Sequence, residues 1–158
     1  VILPDANLLI YAVNRDAPHH RQARLWLEQT LSGHETVGLA WIVVLAFIRI
    51  TTHPRVFDKP LAVEQALDYV EGWLSQPCVR PVTPGENHWL IMSRLLRASG
   101  SAGNLTSDAH LAAIAIEQGG TVHSADHDFK RFNGLESVNP LSAVHEGGPE
   151  YGVDPDRA

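Results

Sequence analysis

Short apolar runs alternate along the chain with longer amphipathic ones. "VILPD" reads as a buried strand, Val1 to Leu3, with Asp5 at its carboxyl end, and "NLLIYAV" starts a short helix. Asp16–Ala17–Pro18 predicts the next helix, with Asp16 as cap and Pro18 in the first turn. That helix carries Ala23, Trp26, Leu27 and Leu31 and stops at Gly33. "TVGLA" is a second strand. "WIVVLAFIRITT" fits helix or strand by periodicity, but twelve residues between turn signals favour a helix, ended by His53–Pro54. Asp58 and Pro60 open an amphipathic helix with Val63, Ala66, Leu67, Val70 and Leu74 on one face. "CVRPV" is a third strand, and Thr83–Pro84–Gly85–Glu86 has the form of a capping box for a helix to about Ser99. After the loop "GSAGN", an almost wholly apolar helix has Asp108 in or near its first turn and closes at Gly119–Gly120. "TVHSA" is a fourth strand leading to Asp126, and Leu135–Val138 a fifth.

Strands that are short and apolar, separated by helices, predict an α/β fold: a parallel sheet with helices on both faces. Such sheets bind ligands at the carboxyl ends of their strands. Asp5 and Asp126 stand at strand ends, and Asp108 opens a helix, which also begins at that edge. All three are expected on one rim.

Taken singly, each aspartate has a plain structural use. Asp108 stabilises a helix N-terminus, Asp126 and Asp128 shape a turn, and Asp5 does the same after its strand. Convergence changes the chemistry, because neighbouring carboxylates repel one another and call for a compensating cation. Oxygen-only ligands select a hard ion, Mg²⁺ or Mn²⁺, over zinc. Such an ion lowers the pKa of bound water and neutralises charge on phosphoryl oxygens. No glycine-rich phosphate loop, GxSxG elbow or His-Glu-x-x-His motif competes.

Composition narrows the class further. A chain of 158 residues with 44% hydrophobic and 19% charged content is that of a globular protein. Its longest apolar run, Leu39 to Ile48, is far shorter than the roughly 20 residues that span a bilayer. No secretory leader pattern opens the sequence, and the single cysteine, Cys78, excludes an internal disulfide or a cysteine-rich zinc site. A reducing, cytoplasmic setting is expected. The net charge of −6 argues against gripping nucleic acid by bulk positive charge. Part of that charge is local: residues 142–158 hold four acids against one arginine and read as a flexible acidic tail after a domain over 1–141.

"PDANLLIYAVN", "FIRITTHPRVF" and "GNLTSDAHLAAIAIEQGGTVHSADHDFKRF" resemble the PIN-domain ribonucleases, and most closely the VapC toxins of bacterial toxin–antitoxin pairs, mycobacterial-type branch. The resemblance covers about residues 1–141. It implies a PIN-like five-stranded parallel sheet, a Mg²⁺- or Mn²⁺-dependent endoribonuclease acting on RNA, and a small VapB-like antitoxin partner. The family's first acid falls on Asp5, its helix-start acid on Asp108 and its late acid on Asp126, with Asp128 as an accessory. Many members also carry a glutamate in a middle-helix run like "AEFLR". Here the run is "LAFIR", with Ala46 at that position. This departure sustains an alternative, a degenerate PIN domain that binds RNA or antitoxin without cutting. A receiver-like phosphoacceptor fits less well, since it wants paired acids after the first strand and a late lysine.

Other residues keep two readings each. Asn7 supports the site or caps the first helix. Thr51 and Thr52 contact phosphate or support the acids, or are helix-end threonines. Thr106 and Ser107 cap the Asp108 helix, or Ser107 supports the site. His110 and His127 read as surface or outer residues in preference to metal ligands. The four tryptophans read as core or interface packing, and Cys78 as packing. Arg49, Arg55, Lys130 and Arg131 flank the motifs and either bind an RNA backbone or are solvated charges. The early and middle helices are expected to expose apolar surface suited to a homodimer or the antitoxin.

Overall fold

The computed structural model describes residues 1–143. The chain runs β1 (Ile2–Pro4), α1 (Ala6–Val13), α2 (His20–Leu31), β2 (Val37–Ala40), α3 (Trp41–Thr51), α4 (Val63–Leu74), β3 (Val79–Val82), α5 (His88–Ser99), α6 (Leu105–Gln118), β4 (Thr121–His123), β5 (Glu136–Val138) and α7 (Pro140–Ala143). A 3-10 turn, His127–Arg131, lies between β4 and β5. All five strands are parallel, in the order β3-β2-β1-β4-β5. The first three strands build outward from β1 in one direction, and the chain then returns to add β4 and β5 on its other side. The switch point falls between β1 and β4, where such sheets open a crevice at their carboxyl ends.

Burial follows the sequence pattern. β1 and β2 are buried throughout, as central strands covered on both faces must be. The helices form two packed groups, α1 to α4 in one and α5 with α6 in the other. Phe47 of α3 is fully buried and meets Trp73 of α4 edge-on, with ring centroids 4.8 Å apart. Such pairs contribute roughly 0.5–1.5 kcal/mol beyond area burial. The end of α6 is set by two glycines. Gly119 has φ 61°, the left-handed cap conformation. A Cβ on Gly120 would come within 2.5 Å of Leu3 and 2.8 Å of the Val1 carbonyl, so only glycine lets β4 enter beside β1.

Three helix starts differ from the sequence expectation, each for a stated reason. Asp16 does not cap α2. Its own N–H bonds the Asn14 side chain in a turn, and the helix begins at His20. Asp58 and Pro60 do not open α4, because Leu61 N–H bonds back to the Thr51 carbonyl at 2.8 Å. The helix begins at Val63, where Gln65 accepts from Ala62 N–H. Thr83–Glu86 is no capping box. Instead Glu117, from the end of α6, accepts the N–H groups of Gly85 and Asn87 and so anchors the entry to α5 at His88. Trp26 and Trp73 are core residues, whereas Trp41 and Trp89 are exposed. No helix among the described residues is long and apolar enough to cross a membrane. α7 ends at Ala143, two residues into the segment assigned to the acidic tail; the rest of that tail lies outside the described residues.

Candidate metal centre

Asp5 closes β1 and caps α1. Its Oδ1 accepts from Ala6 N–H at 2.7 Å, and its own N–H bonds the His123 carbonyl of β4 at 2.9 Å. The pairing of β1 with β4 therefore fixes where this carboxylate stands. Its Oδ2 accepts from the Ser124 hydroxyl at 2.7 Å. Ser124, almost fully buried, also accepts from Asn7 Nδ2 at 3.1 Å and from Asp126 N–H at 2.9 Å. Asn7 Oδ1 in turn takes Ala125 N–H at 3.3 Å. One serine thus ties the end of β1, the first turn of α1 and the turn after β4 into a single network.

Asp126 then caps the 3-10 turn by accepting from Asp128 N–H. Opposite it, the first turn of α6 presents Asp108. Asp108, Asp126 and Asp128 each offer a carboxylate oxygen, all within 4.8 Å of one another. Asp5 joins them electrostatically. Burial raises its carboxyl above the usual range against the pull of Ser124 and Ala6, and the charge of Asp126 adds to the rise. Asp108 is pushed up to about 6, first by burial and then by the charges of Asp5, Asp126 and Asp128. The four carboxylates form one electrostatic unit. An oxygen-only donor set that destabilises its own charge fits a hard cation, which relieves repulsion and replaces lost hydration together.

The other candidates sort clearly. Asn7 belongs to the network through Ser124 and Ala125. Ser107 is exposed in the first turn of α6 and lines a cleft with Asp5 and Asp108. It is no cap: the helix starts after Asn104, with no side-chain cap bond. Thr51 is not brought to the rim. It is fully buried, and its hydroxyl bonds the Phe47 carbonyl one turn back, the usual habit of a helix-end threonine. Thr52 does the same with Ile48. His110 bonds His88 at 2.9 Å and stays neutral more readily than usual, through burial and then through His88. Ala46 lines the same cleft as Asp5 and Asp108, so a methyl group stands where a further acid would project. Lys130 bonds the Ser137 carbonyl, and Arg131 lies 3.5 Å from Asp128.

Ser124 is the member that sequence reasoning passed over. The signal was present: a serine two residues before an aspartate, just after a strand, has the spacing of a side-chain to backbone turn.

The sequence pattern of the PIN domain family matches residues 2–135. Ribonuclease VapC33 of Mycobacterium tuberculosis is 44% identical over 141 residues, covering 89% of this chain and 99% of that protein. Ribonuclease VapC37 of the same organism is 43% identical over 136 residues, covering 86% and 94%. The structure of VapBC2 from Rickettsia felis bound to a DNA fragment from their promoter superimposes with a TM-score of 0.65 at 22% identity, over 87% of this chain and 97% of that one. With an α/β sheet whose switch point gathers four aspartates, and with relatives that match it almost end to end, the chain belongs to the PIN-domain family and, within it, to the VapC proteins.

Proposed function

We propose that this protein is an endoribonuclease toxin of a toxin–antitoxin pair, cleaving RNA phosphodiester bonds at the acidic rim with a Mg²⁺ or Mn²⁺ ion. The observation that carries this reading is the four-carboxylate unit at the switch point, with Asp108 pushed up to about 6. The names of the ribonuclease relatives support it. Asp108, Asp126 and Asp128 would hold the ion together with Asp5, while Ser124 and Asn7 keep the strand-end acids in position. When bound, the ion neutralises charge on the phosphoryl oxygens and makes water a better nucleophile at neutral pH.

The chain's own contribution is preorganisation. Asp5 is fixed by two donors before any ligand arrives, so binding does not have to order it. An antitoxin of the VapB kind would supply a small partner whose basic segment reaches the acids, since an arginine replaces a cation by a charge-assisted, two-pronged contact. The protein would act in the cytoplasm, where both its RNA and this partner are made. A homodimer would use apolar surface outside the cleft, such as the face of α5 that bears Trp89 and Leu90. The domain would end near residue 141.

Ala46 beside Asp5 and Asp108 sustains a second reading, a PIN domain that binds RNA or antitoxin without cutting. Purified protein incubated with total RNA at graded Mg²⁺ and Mn²⁺ decides between them. Cleavage that EDTA abolishes is expected; intact RNA at every metal concentration would leave the binding-only reading.

A further inference from the structure

The acids occupy only one end of a larger cleft. A concavity of about 640 Å³ runs from Asp5 and Asp108 between α3 and α6. Its walls include Ile42, Leu45, Ala46 and Leu111, and its remaining polar groups are Ser107 and Arg49. The size falls in the roughly 300–1,000 Å³ range of sites that enclose a small planar ligand. Leu45 is 65% exposed, an apolar cost that the fold does not need, since α3 is anchored in the core through Val44 and Phe47. Arg49 is exposed one turn further along α3 and has no ion-pair partner among the described residues.

We infer that this cleft is a base subsite: it takes the base of one unpaired nucleotide next to the phosphate held at the acids, while Arg49 binds a neighbouring phosphate. The inference rests on the ribonuclease reading of the rim. Continuity carries it, because a phosphate at Asp5 and Asp108 must leave an adjoining nucleoside at the mouth of an apolar cleft that shares those two residues. Charge agrees, since the unpaired cation lining the cleft is complementary to a backbone phosphate. Single-stranded RNA is read through unstacked bases inserted among apolar or planar groups, with polar atoms contacting the base edge. The Ser107 hydroxyl is such an atom. A carboxylate at position 46 would charge the wall, whereas the methyl group of Ala46 leaves it apolar.

The test compares binding with and without bases, in Ca²⁺ in place of Mg²⁺ or Mn²⁺ so that the acids carry a hard cation, with strand integrity checked on gels. Fluorescence anisotropy is measured for labelled rA, rC, rG and rU 10-mers, an abasic ribose-phosphate 10-mer and an RNA duplex. At least one homopolymer is expected to bind roughly tenfold or more tightly than the abasic strand and the duplex, the scale of one buried base. Ala46→Leu, which fills the cleft, should remove that increment and leave abasic binding unchanged. Arg49→Gln should weaken all strands alike and lower the salt slope by about one. Equal affinity for all backbones refutes the subsite, and this arm needs no variant to fold. An equal loss on abasic and base-bearing strands in Ala46→Leu refutes it too. So does a switch of that variant from dimer to monomer in sedimentation, which would make the cleft an interface between copies. Cleavage is scored separately with metal. A protein that cuts but ignores bases loses only this inference; one that binds bases and never cuts loses only the nuclease reading.

Discussion

On the strand side of the acidic rim, Asp5 accepts hydrogen bonds from Ala6 N–H and from Ser124, and Ser124 also engages Asn7 and Asp126. On the helix side, the Asp108 carboxylate has no hydrogen-bond partner among the described residues, and burial with three like charges pushes it up to about 6. One half is a finished structural network. The other is a carboxylate held at a free-energy cost, which the fold tolerates without local compensation. The contrast separates two jobs that sequence position alone leaves merged: Asp5 is placed in advance, and Asp108 is the group whose charge a cation would relieve most. Strain of this electrostatic kind concentrates where a ligand is to bind.

The sharpest way to break the comparison is Asp108→Asn. Cleavage should fall by roughly a hundredfold or more, the order expected when a charge-stabilising group is lost. Stability of the metal-free protein should move the other way. The folded pKa of Asp108, about 6, lies above its unfolded value, so the folded state binds the extra proton. The resulting stabilisation is full below the unfolded pKa and is lost as pH rises from about 4 through about 6. At pH 7 the charged group therefore destabilises the fold. Asparagine removes that penalty, worth about 1 kcal/mol once solvent screening of a half-exposed group is allowed for. Melting in EDTA across pH 4 to 8 checks the sign. The stability difference between variant and wild type should be small at pH 4 and grow in the variant's favour as pH rises through about 6, whatever the other titrating groups contribute to both. A variant that melts lower at pH 7 and cuts normally would make Asp108 an ordinary helix-start residue.

Ser124→Ala attacks the opposite half. It leaves Asp5 without one donor and deprives Asn7 Nδ2 and Asp126 N–H of their acceptor, at a partly buried junction around a fully enclosed serine. A loss of roughly 2–3 kcal/mol is expected, the cost of unsatisfied buried polar groups, with cleavage down about tenfold as the strand-end acids lose their mutual alignment. Ser124→Thr keeps the hydroxyl and should restore most activity. Unchanged melting in Ser124→Ala would mean that the network is dispensable and the two halves of the rim are held alike.

Much of this could be read from residues in order. The order of strands and helices was legible because parallel strands buried on both faces leave apolar runs that little else produces. Asp5, Asp108 and Asp126 were legible because strand ends and helix starts of such a sheet face one edge. The Asp16 cap failed for a local reason, its bond to Asn14 two positions back, but other failures involved partners distant in sequence. Glu117 lies 30 residues from Asn87, so the tertiary anchor that displaced a local capping box left no trace in "TPGE". The separation of Thr51 from the rim is likewise tertiary in origin, since a threonine that bonds one turn back has the same sequence signature as one that faces a ligand. Ser124 sits between these cases. Its turn spacing was local, but its bond to Asp5 spans 119 positions and appears only once β1 and β4 are side by side.

Ala46→Glu sharpens the comparison from the third side of the cleft. Ala46 lines the same cavity as Asp5 and Asp108, on a face of α3 whose other lining side chains are apolar apart from Arg49. A glutamate there adds a flexible carboxylate to the side of the rim that lacks compensating donors. Hard-ion affinity rises with ligand charge and number, so the metal concentration for half-maximal cleavage should fall by roughly three- to fivefold. The same charge should act in reverse without metal, raising the Asp108 carboxyl further and lowering stability in EDTA by about 1 kcal/mol or less. The two effects together identify the position: a glutamate that faced solvent would change neither. A shift in metal requirement with no loss of metal-free stability would mean that the new carboxylate reaches the ion without feeling Asp108, and the rim would then be two separate sites instead of one. An unchanged metal requirement in the folded variant would mean that α3 holds position 46 too far from the acids to serve as a ligand, and that the methyl group of Ala46 matters to the shape of the cleft alone.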